Sequence, residues 1–281
     1  MGSAPAFPEP DMRRLGASEP SVLKSEALHR VLRDLDRVVV AFSGGADSAL
    51  LAHAAHTLLG PDRVHVVTAV SPSLAGDERA DAAALADEWG LRWSAVETDE
   101  MTHAAYRAND ADRCAHCKEA RMEVLAPIAA AESATVVLGV NVDDLGDHRP
   151  GQKAAADRGA RFPLVEAGLT KDDVRARSRA LGLRTADKPA AACLASRVPY
   201  GTEVTVGVLS GVERAEAALR RLGFDDLRVR HHDDTARIEV PTDRLADVVE
   251  RRDAVVAAVT SSGYRYVTLD LEGLRSGNLN A

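Results

Sequence analysis

The sequence predicts an α/β protein with a doubly wound, mainly parallel sheet and a smaller C-terminal α+β domain. Two observations carry this prediction. From about residue 21 to residue 140, short valine-rich segments alternate with segments of helical period, as in parallel sheets covered by helices. After about residue 202 a helix is followed by two closely spaced strands, so the alternation ends there.

The elements of the first domain are predicted from β-branched runs and from apolar residues at helical spacing. The predicted strands are Arg37–Phe42, Arg63–Ala69, Arg92–Val96 and Thr135–Gly139. The predicted helices are Ser21–Leu35, Asp47–Leu59, Gly76–Trp89, His116–Ala131 and Lys171–Leu181, the last capped by Thr170. Residues 141 to 170 show little periodicity and many charges, and we predict an irregular loop there.

The C-terminal region contains fewer elements of mixed type. We predict a helix over Val206–Leu222, strands over Leu227–His231 and Ala236–Val240, a helix starting at Pro241 and a last strand over Tyr266–Leu269. The predicted organisation is therefore a disordered tail over residues 1–20, an α/β domain over residues 21–201 and an α+β domain over residues 202–281.

The composition limits the class of protein. A chain of 281 residues with 46% hydrophobic and 28% charged residues is typical of a globular protein with a real core. Its net charge of −8 argues against a nucleic-acid partner. No run reaches the ~20 apolar residues that span a membrane, and the N-terminus has no secretory core. We expect a cytoplasmic protein without a nucleic-acid or membrane partner.

A glycine-containing loop follows the first predicted strand and precedes a helix. It reads Ser43-Gly44-Gly45-Ala46-Asp47-Ser48. Glycines let the backbone approach a phosphate closely, and the free N–H groups of a helix N-terminus attract it. The loop lacks the Gly-Lys-Ser/Thr ending of a Walker A loop. It resembles the pyrophosphate loop (PP loop) of the N-type ATP pyrophosphatases, and this resemblance implies cleavage of ATP between its α and β phosphates.

Three cysteines are too few for a disulfide framework, so each position raises a question. Cys114 and Cys117 form a Cys-x-x-Cys motif near the start of a predicted helix, and Cys193 lies in the loop before the second domain. The set fits a [4Fe–4S] cluster with one open iron, or a zinc site completed by His116 or His148. Three unconnected buried thiols remain an alternative, while a redox pair is disfavoured because the motif does not open the first helix of the βα pattern.

Further motifs continue to the C-terminus. They are Arg113–Lys118, Gly139–Asp144, Asp147–Gly151, Phe162–Leu164, Leu169–Lys171, Asp187–Pro189, Ala192–Gly201, Arg228–His231, Ala236–Glu239 and Leu269–Asn280. Together with the PP loop they resemble the LarE family of ATP-dependent sulfur transferases, which make the nickel-pincer nucleotide cofactor of lactate racemase. The resemblance covers nearly the whole chain after the N-terminal tail.

The resemblance implies a specific reaction. ATP with Mg²⁺ adenylates a carboxylate of pyridinium-3,5-biscarboxylic acid mononucleotide, and a sulfur nucleophile displaces AMP to leave a thiocarboxylate. One branch of the family sacrifices the sulfur of a single cysteine in the position of Cys193. The other branch binds a [4Fe–4S] cluster on three cysteines, and its open iron carries the donated sulfide. This chain resembles the cluster branch, which implies a supply of inorganic sulfide or a sulfide-delivering system, and a homo-oligomer.

Site residues follow from these motifs. ATP is assigned to Ser43, Gly44, Gly45, Asp47, Ser48 and Gly139. Asp47 is also expected near Mg²⁺ and the departing pyrophosphate. Asp144 lies where the family has an acidic residue near the substrate or the metal, although a solvated loop carboxylate is an equal alternative. Cys193 is the expected catalytic thiol, and Cys114, Cys117 and Cys193 are the expected cluster ligands.

Several arginines are candidates for the phosphate of the substrate. Arg197 follows Cys193 closely and either holds this phosphate or pairs with a carboxylate in its loop. Arg228 and Arg230 alternate along a strand and share a face, so they either grip one phosphate or form a solvated surface. Glu239 and Arg275 are further candidates in the same domain.

Three other functions stay open at this point. A tRNA thiolase shares the PP loop, but it would carry a basic surface. A zinc-stapled nucleotide-binding module would use the cysteines only structurally. An amidotransferase-like synthetase of NAD or GMP synthesis would take ammonia and have no evident use for the cysteines.

Overall fold

The computed structural model describes residues 19–145 and 150–275. Most of the predicted N-terminal tail and His148 lie outside these ranges. The strands are β1 (Val38–Ala41), β2 (Val64–Val70), β3 (Trp93–Glu97), β4 (Thr135–Leu138), β5 (Arg228–His232), β6 (Thr235–Glu239) and β7 (Tyr266–Leu269). The helices are α1 (Glu19–Leu35), α2 (Ala46–Leu59), α3 (Gly76–Glu88), α4 (Ala104–Ala108), α5 (Arg113–Ala131), α6 (Pro150–Asp157), α7 (Pro163–Glu166), α8 (Lys171–Ala180), α9 (Val206–Arg221), α10 (Leu245–Glu250) and α11 (Arg252–Thr260).

The larger sheet is parallel and has the order β3-β2-β1-β4. Val38 of β1 pairs with Val64 on one side and with Thr135 on the other. The chain adds β2 and β3 on one side of β1 and then returns to add β4 on the other side. The predicted doubly wound parallel sheet is therefore confirmed, and its strand order reverses between β1 and β4.

Successive valines of β1 point to opposite faces of the sheet, and both faces are covered. Val38 and Val40 pack with Leu50 of α2 in one core, whereas Val39 packs with Met122 of α5 in the other. All five side chains are at most 1% exposed. Each fully buried valine stabilises the fold by roughly 1.5–3 kcal/mol. A run of β-branched residues that is buried on both faces fixes β1 at the centre of the sheet.

Short helices replace much of the irregular loop that the sequence predicted between residues 141 and 170. A 3₁₀ turn covers Val142–Leu145, and α6 and α7 follow it. The prediction was wrong for these segments because helices of eight and four residues are too short to show a helical period. Both begin at a proline, a residue favoured at the first helical position. The helix α8 begins as predicted, with a capping box between Thr170 and Asp173.

The chain forms two structural units. The first contains the described residues up to Val70 together with Gly76–Thr98 and Cys114–Ala191. The second contains Ser71–Ala75, Asp99–Arg113 and the chain from Ala192 onwards. In the second unit β5 and β6 are antiparallel and β6 and β7 are parallel. The domain boundary after residue 201 stays a prediction. The two units are not continuous in sequence, because two short segments before residue 114 belong to the second unit.

None of the described helices combines the length and the apolar character that crossing a membrane would require.

Candidate functional site

The PP loop connects β1 to α2, and its backbone passes close to α3. Gly44 has a φ of +70°, and a Cβ at this position would lie 3.2 Å from the Cα of Ala82 in α3. Ser43 and Ser48 lie at the two ends of the loop with their hydroxyl oxygens 3.1 Å apart. The Ser48 hydroxyl donates to the Gly45 carbonyl, and the Gly45 N–H donates to the Ser43 hydroxyl. Both predicted glycines and both predicted serines therefore shape one loop.

The first turn of α2 is available to an anion. Its N-cap is Gly45, which has no side chain that could accept hydrogen bonds from the first N–H groups. The helix extends 14 residues to Leu59, so its dipole places partial positive charge at this end. A phosphate at this position would accept hydrogen bonds from the N–H groups of this turn. The geometry is that of an anion cradle at the carboxyl end of β1.

The end of β4 packs directly on this first turn. A Cβ built on Gly139 would lie 2.6 Å from the Ser48 amide nitrogen and 2.9 Å from the Asp47 carbonyl carbon. Only glycine permits this approach, because the obstructing atoms are backbone. The crevice between β1 and β4 is the switch point of the sheet, where α/β proteins bind their ligands.

An asparagine links the two acidic residues of the site. Asn141 is 2% exposed, and its side-chain amide donates to Asp47 over 3.0 Å. Its backbone N–H donates to the Asp144 carboxylate over 3.2 Å, and its own side-chain oxygen accepts from Asp143. The two predicted carboxylates, Asp47 and Asp144, therefore meet at the switch point beside the first turn of α2. Carboxylate and amide oxygens are ligands that Mg²⁺ accepts.

The surroundings of Asp47 disfavour its charged form. Burial raises the pKa of Asp47 above its ordinary value of 3.8, and the nearby charge of Asp144 acts in the same direction. The hydrogen bond from Asn141 and the charge of Lys171 oppose this shift of the pKa. A bound cation would reverse the balance by neutralising both carboxylates.

This raised pKa predicts a pH-dependent effect of Asp47→Asn on stability. A carboxyl with a raised pKa in the folded state stabilises the fold at low pH and loses this contribution as pH rises through the folded pKa. At about pH 7 the variant is therefore expected to melt at a higher temperature than the parent protein. The difference should shrink as the pH falls towards the ordinary aspartate value of 3.8. Calorimetry without divalent cations measures the difference in melting temperature, and the control is Asp62→Asn, at an exposed position. A difference in melting temperature that does not change with pH would contradict the prediction.

In the second unit Arg197 forms an ion pair with a residue outside its own loop. Its guanidinium makes two hydrogen bonds to Glu216 of α9, and both side chains are at most 8% exposed. It also donates to the carbonyl oxygens of Ala192 and Cys193. Arg197 therefore connects the loop around Cys193 to α9. An ion pair was one of the two roles predicted for Arg197, but the carboxylate lies on a helix and not in the loop.

Arg228 and Arg230 lie on β5 and have different surroundings. Arg230 is 3% exposed and pairs with Glu239 of β6, which is completely buried. Arg228 is half-buried and donates to the carbonyl oxygen of Arg275. Burial lowers the pKa of Arg228, and the neighbouring charges of Arg230 and Arg197 lower it further. The charges of Glu239 and Glu216 oppose this shift of the pKa, and Arg228 is the more exposed of the two arginines on β5.

Breaking the Arg230–Glu239 pair is expected to destabilise this unit strongly. Arg230→Met would remove the buried partner of the Glu239 carboxylate and leave its ion pair with Arg237, which is 31% exposed. Removing one partner of a buried ion pair costs about 3–5 kcal/mol. Urea unfolding measures this loss, and Arg237→Met, which removes the more exposed partner of the same carboxylate, is the control. Equal losses in the two variants would show that burial of the pair is not the cause.

All three cysteines are among the described residues, and none of them forms a disulfide. Cys114 is exposed at the start of α5, and Cys117 and Cys193 are half-buried. The Nδ1 atom of His116 lies 3.3 Å from Glu119, and His148 lies outside the described residues. Each of the three thiols is therefore on a residue that is at least partly exposed to solvent.

The loop after Cys193 is held by residues that the sequence did not single out. Asn109 is fully buried, and its side-chain amide donates to the carbonyls of Val198, Pro199 and Thr202. Arg113 donates to the Ala195 carbonyl over 2.7 Å and also to Asn109. Asn109 and Arg113 therefore hold the loop after Cys193 within the second unit.

Asn141, Glu216 and Asn109 were missed as functional candidates. The sequence does indicate Asn141 as a candidate, because it follows a buried strand at the same sheet edge as the PP loop. Glu216 had a weaker signal, as a lone acid on a face of α9 that is otherwise buried and apolar. Asn109 had none, since its left-handed backbone and its partners become visible only in the folded chain.

Comparisons with known proteins agree with this geometry. A family model described as NAD synthase matches residues 26–142, which include the PP loop and the Gly139–Asn141 segment. The chain is 42% identical over 258 residues to pyridinium-3,5-bisthiocarboxylic acid mononucleotide synthase of Lactiplantibacillus plantarum, covering 92% of this chain and 94% of the relative.

Two uncharacterized proteins are also similar. The chain is 46% identical over 260 residues to one from Synechocystis, covering 97% of that relative. It is 25% identical over 241 residues to one from Methanocaldococcus jannaschii, covering 91% of that relative. The loop at the switch point, the parallel sheet and an identity of 42% across nearly the whole of both chains lead to one assignment. The chain is an ATP-dependent enzyme of the PP-loop class and belongs to the LarE family.

Proposed function

We propose that this enzyme is a sulfur transferase that converts pyridinium-3,5-biscarboxylic acid mononucleotide into the bisthiocarboxylate. The observation that carries the proposal is the similarity over 92% of the chain to a synthase of that product, in a chain with a PP loop and three cysteines. Each half of the reaction has a set of residues suited to it.

The first half is adenylation of a carboxylate. A carboxylate oxygen attacks the α phosphate of ATP, the bond between the α and β phosphates breaks, and pyrophosphate leaves. The first turn of α2 and the PP loop bind the phosphates through N–H groups and hydroxyls. Asp47 and Asp144, oriented by Asn141, would hold Mg²⁺, which neutralises the charge that builds up on the leaving group.

The second half replaces AMP with sulfur. Hydrosulfide attacks the acyl carbon, the bond to the AMP oxygen breaks, and a thiocarboxylate, AMP and one proton are released. A [4Fe–4S] cluster on Cys114, Cys117 and Cys193 would hold the sulfide as a nucleophile. Arg113, Asn109 and Arg197 order the loop that begins at Cys193.

The arginines of the second unit would bind the phosphate of the mononucleotide. Arg228 is the candidate for direct contact because it is only half-buried and lies near two further guanidiniums. Arg230 would contribute its charge from a buried position, and the enclosed Glu239 would hold Arg230 in place. Arg275 would orient Arg228 through its carbonyl oxygen.

The competing functions fit fewer of these observations. An NAD synthase-like amidotransferase is favoured by the family model, but that match ends at residue 142, before Cys193 and the arginine group. A tRNA thiolase would need a basic surface, and the chain has a net charge of −8. A sacrificial Cys193 would make Cys114 and Cys117 unnecessary. A structural zinc site would leave the chemistry without a sulfur carrier.

The function is tested by coupling ATP cleavage to the substrate. Anaerobically purified enzyme is given ATP, Mg²⁺ and sulfide, and AMP and pyrophosphate are measured with and without the pyridinium biscarboxylate mononucleotide. We expect both products to appear only with this substrate. Equal stimulation by nicotinate adenine dinucleotide with ammonia, or by bulk tRNA, would favour the corresponding alternative.

The cluster is tested by iron and acid-labile sulfide analysis of the same preparation. We expect about four irons per chain, as in a [4Fe–4S] site, and their loss in Cys114→Ala, Cys117→Ala and Cys193→Ala. Zinc without iron would favour the structural alternative. Iron-free protein that cannot be reconstituted would leave Cys193 as a sacrificial donor.

A source of sulfide, a homo-oligomeric state and a cytoplasmic location complete the proposal. Light scattering at several protein concentrations tests the oligomer, and a mass equal to one chain throughout would contradict it.

A further inference from the structure

A lysine outside the predicted site contacts the PP loop from the side of α3. The Lys188 ammonium donates to the Gly44 carbonyl over 3.2 Å, and to Glu78 and Asp81 of α3 over 2.7 Å each. Lys188 is 17% exposed, so the three acceptors enclose its charge. All four residues belong to the first unit. None of the assigned steps of the reaction uses Lys188.

The contact matters for the PP loop because its acceptor, the Gly44 carbonyl, is part of the loop backbone. A peptide unit is planar and trans, so its carbonyl and its N–H point in opposite directions. Holding the Gly44 carbonyl therefore sets the direction of the Gly45 N–H on the other edge of the same plane. Gly44 has a φ of +70° and no Cβ, so sterics restrict this plane weakly. The Gly45 N–H donates to the Ser43 hydroxyl over 3.3 Å on one edge of the plane, and Lys188 holds the Gly44 carbonyl on the other edge.

The charges around Lys188 favour a permanent contact. Burial lowers the pKa of Lys188, but the hydrogen bonds and charges of Asp81 and Glu78 outweigh burial and hold the pKa above its ordinary value of 10.5. Arg184 binds Asp81 and Glu88 on the outer side of α3 and is 42% exposed. Lys188 and Arg184 thus share one acidic partner, but only Lys188 reaches the loop.

We propose that Lys188 is a positioning residue for ATP, which fixes the Gly44–Gly45 peptide plane against α3 and so prepares the PP loop for the phosphates. The proposal rests on the use of ATP by this enzyme and not on the identity of the sulfur acceptor. Lys188 acts through the loop.

The test compares Lys188→Met with Arg184→Met. Binding of Mg-ATP is measured by calorimetry, which needs no second substrate and stays interpretable if the proposed sulfur acceptor is wrong. Without this contact the competent loop conformation is populated only in part, and a fall of that fraction to about one tenth raises the apparent Kd about 10-fold. We expect a loss of this size in Lys188→Met and a change of less than about 2-fold in Arg184→Met. Equal losses in both variants would overturn the proposal.

A second variant separates positioning from charge. Lys188→Met combined with Glu78→Gln removes one positive and one negative charge, so the net charge beside the loop is unchanged. We expect ATP binding to stay weak, because the Gly44 carbonyl remains without the lysine. Recovery of parental affinity would show that Lys188 acts only through its charge and would overturn the proposal. Hydrogen exchange at the amides of residues 43–48 should be faster in both lysine variants and unchanged in Arg184→Met, which a general loss of stability would not produce.

Discussion

Gly139→Ala is expected to lower kcat/KM for ATP by about 100-fold, the loss typical of a displacement of about 1 Å at a reacting group. The added methyl would lie 2.6 Å from the Ser48 amide nitrogen and 2.8 Å from its Cα, so α2 and β4 must separate. Because the obstructing atoms belong to the backbone of the first turn, no rotamer change relieves the overlap. Steady-state kinetics of AMP release measure the effect.

The control for this variant is Gly207→Ala. Gly207 lies in α9, and a Cβ there would meet only the Thr205 hydroxyl at 3.8 Å, an ordinary contact. This change should leave kcat/KM for ATP unaltered and slightly favour the helix. If Gly139→Ala bound and cleaved ATP as well as Gly207→Ala does, the contact between β4 and α2 would have no role in the site.

Cys193→Ala is expected to abolish formation of thiocarboxylate while adenylation continues. The PP loop, Asp47 and Asp144 belong to the first structural unit and Cys193 to the second, so the variant removes the thiol and leaves the adenylating residues intact. Exchange of labelled pyrophosphate into ATP, dependent on the pyridinium substrate, measures the first half. Mass spectrometry of the product measures the second half.

The same experiment on Cys114→Ala and Cys117→Ala distinguishes the two sulfur sources. With a three-cysteine cluster, both variants should lose sulfur transfer and keep pyrophosphate exchange, as Cys193→Ala does. With a sacrificial cysteine, both variants should still make up to one thiocarboxylate per chain. Loss of exchange in all three variants would instead indicate that the cysteines support the fold.

Much of the fold could be predicted because its signals are local. The run of valines in β1, the PP loop and the period of α2 lie within about twenty residues, and each feature agrees with the next. The Thr170 cap of α8 was likewise visible as a local pattern. The short helices α6 and α7 were missed because they contain too few turns to show a period.

The contacts that organise the site could not be predicted, because they join residues far apart in the chain. Lys188 reaches a carbonyl 144 residues away, and Asn141 reaches Asp47 across 94 residues. Arg197 finds Glu216 on a helix and not a carboxylate in its own loop. Glycine is needed at position 139 because the backbone of α2 lies too close for a Cβ. The sequence motif assigns Gly139 to ATP but does not give this physical reason.

The most direct measurement follows labelled sulfur into the product. Anaerobic enzyme is incubated with the pyridinium biscarboxylate mononucleotide, ATP, Mg²⁺ and isotopically labelled sulfide over several turnovers, and the mononucleotide is analysed by mass spectrometry. We expect a product in which oxygen of the carboxylates is replaced by labelled sulfur, with one AMP released for each exchange. AMP release without labelled sulfur in the product over several turnovers would contradict this prediction.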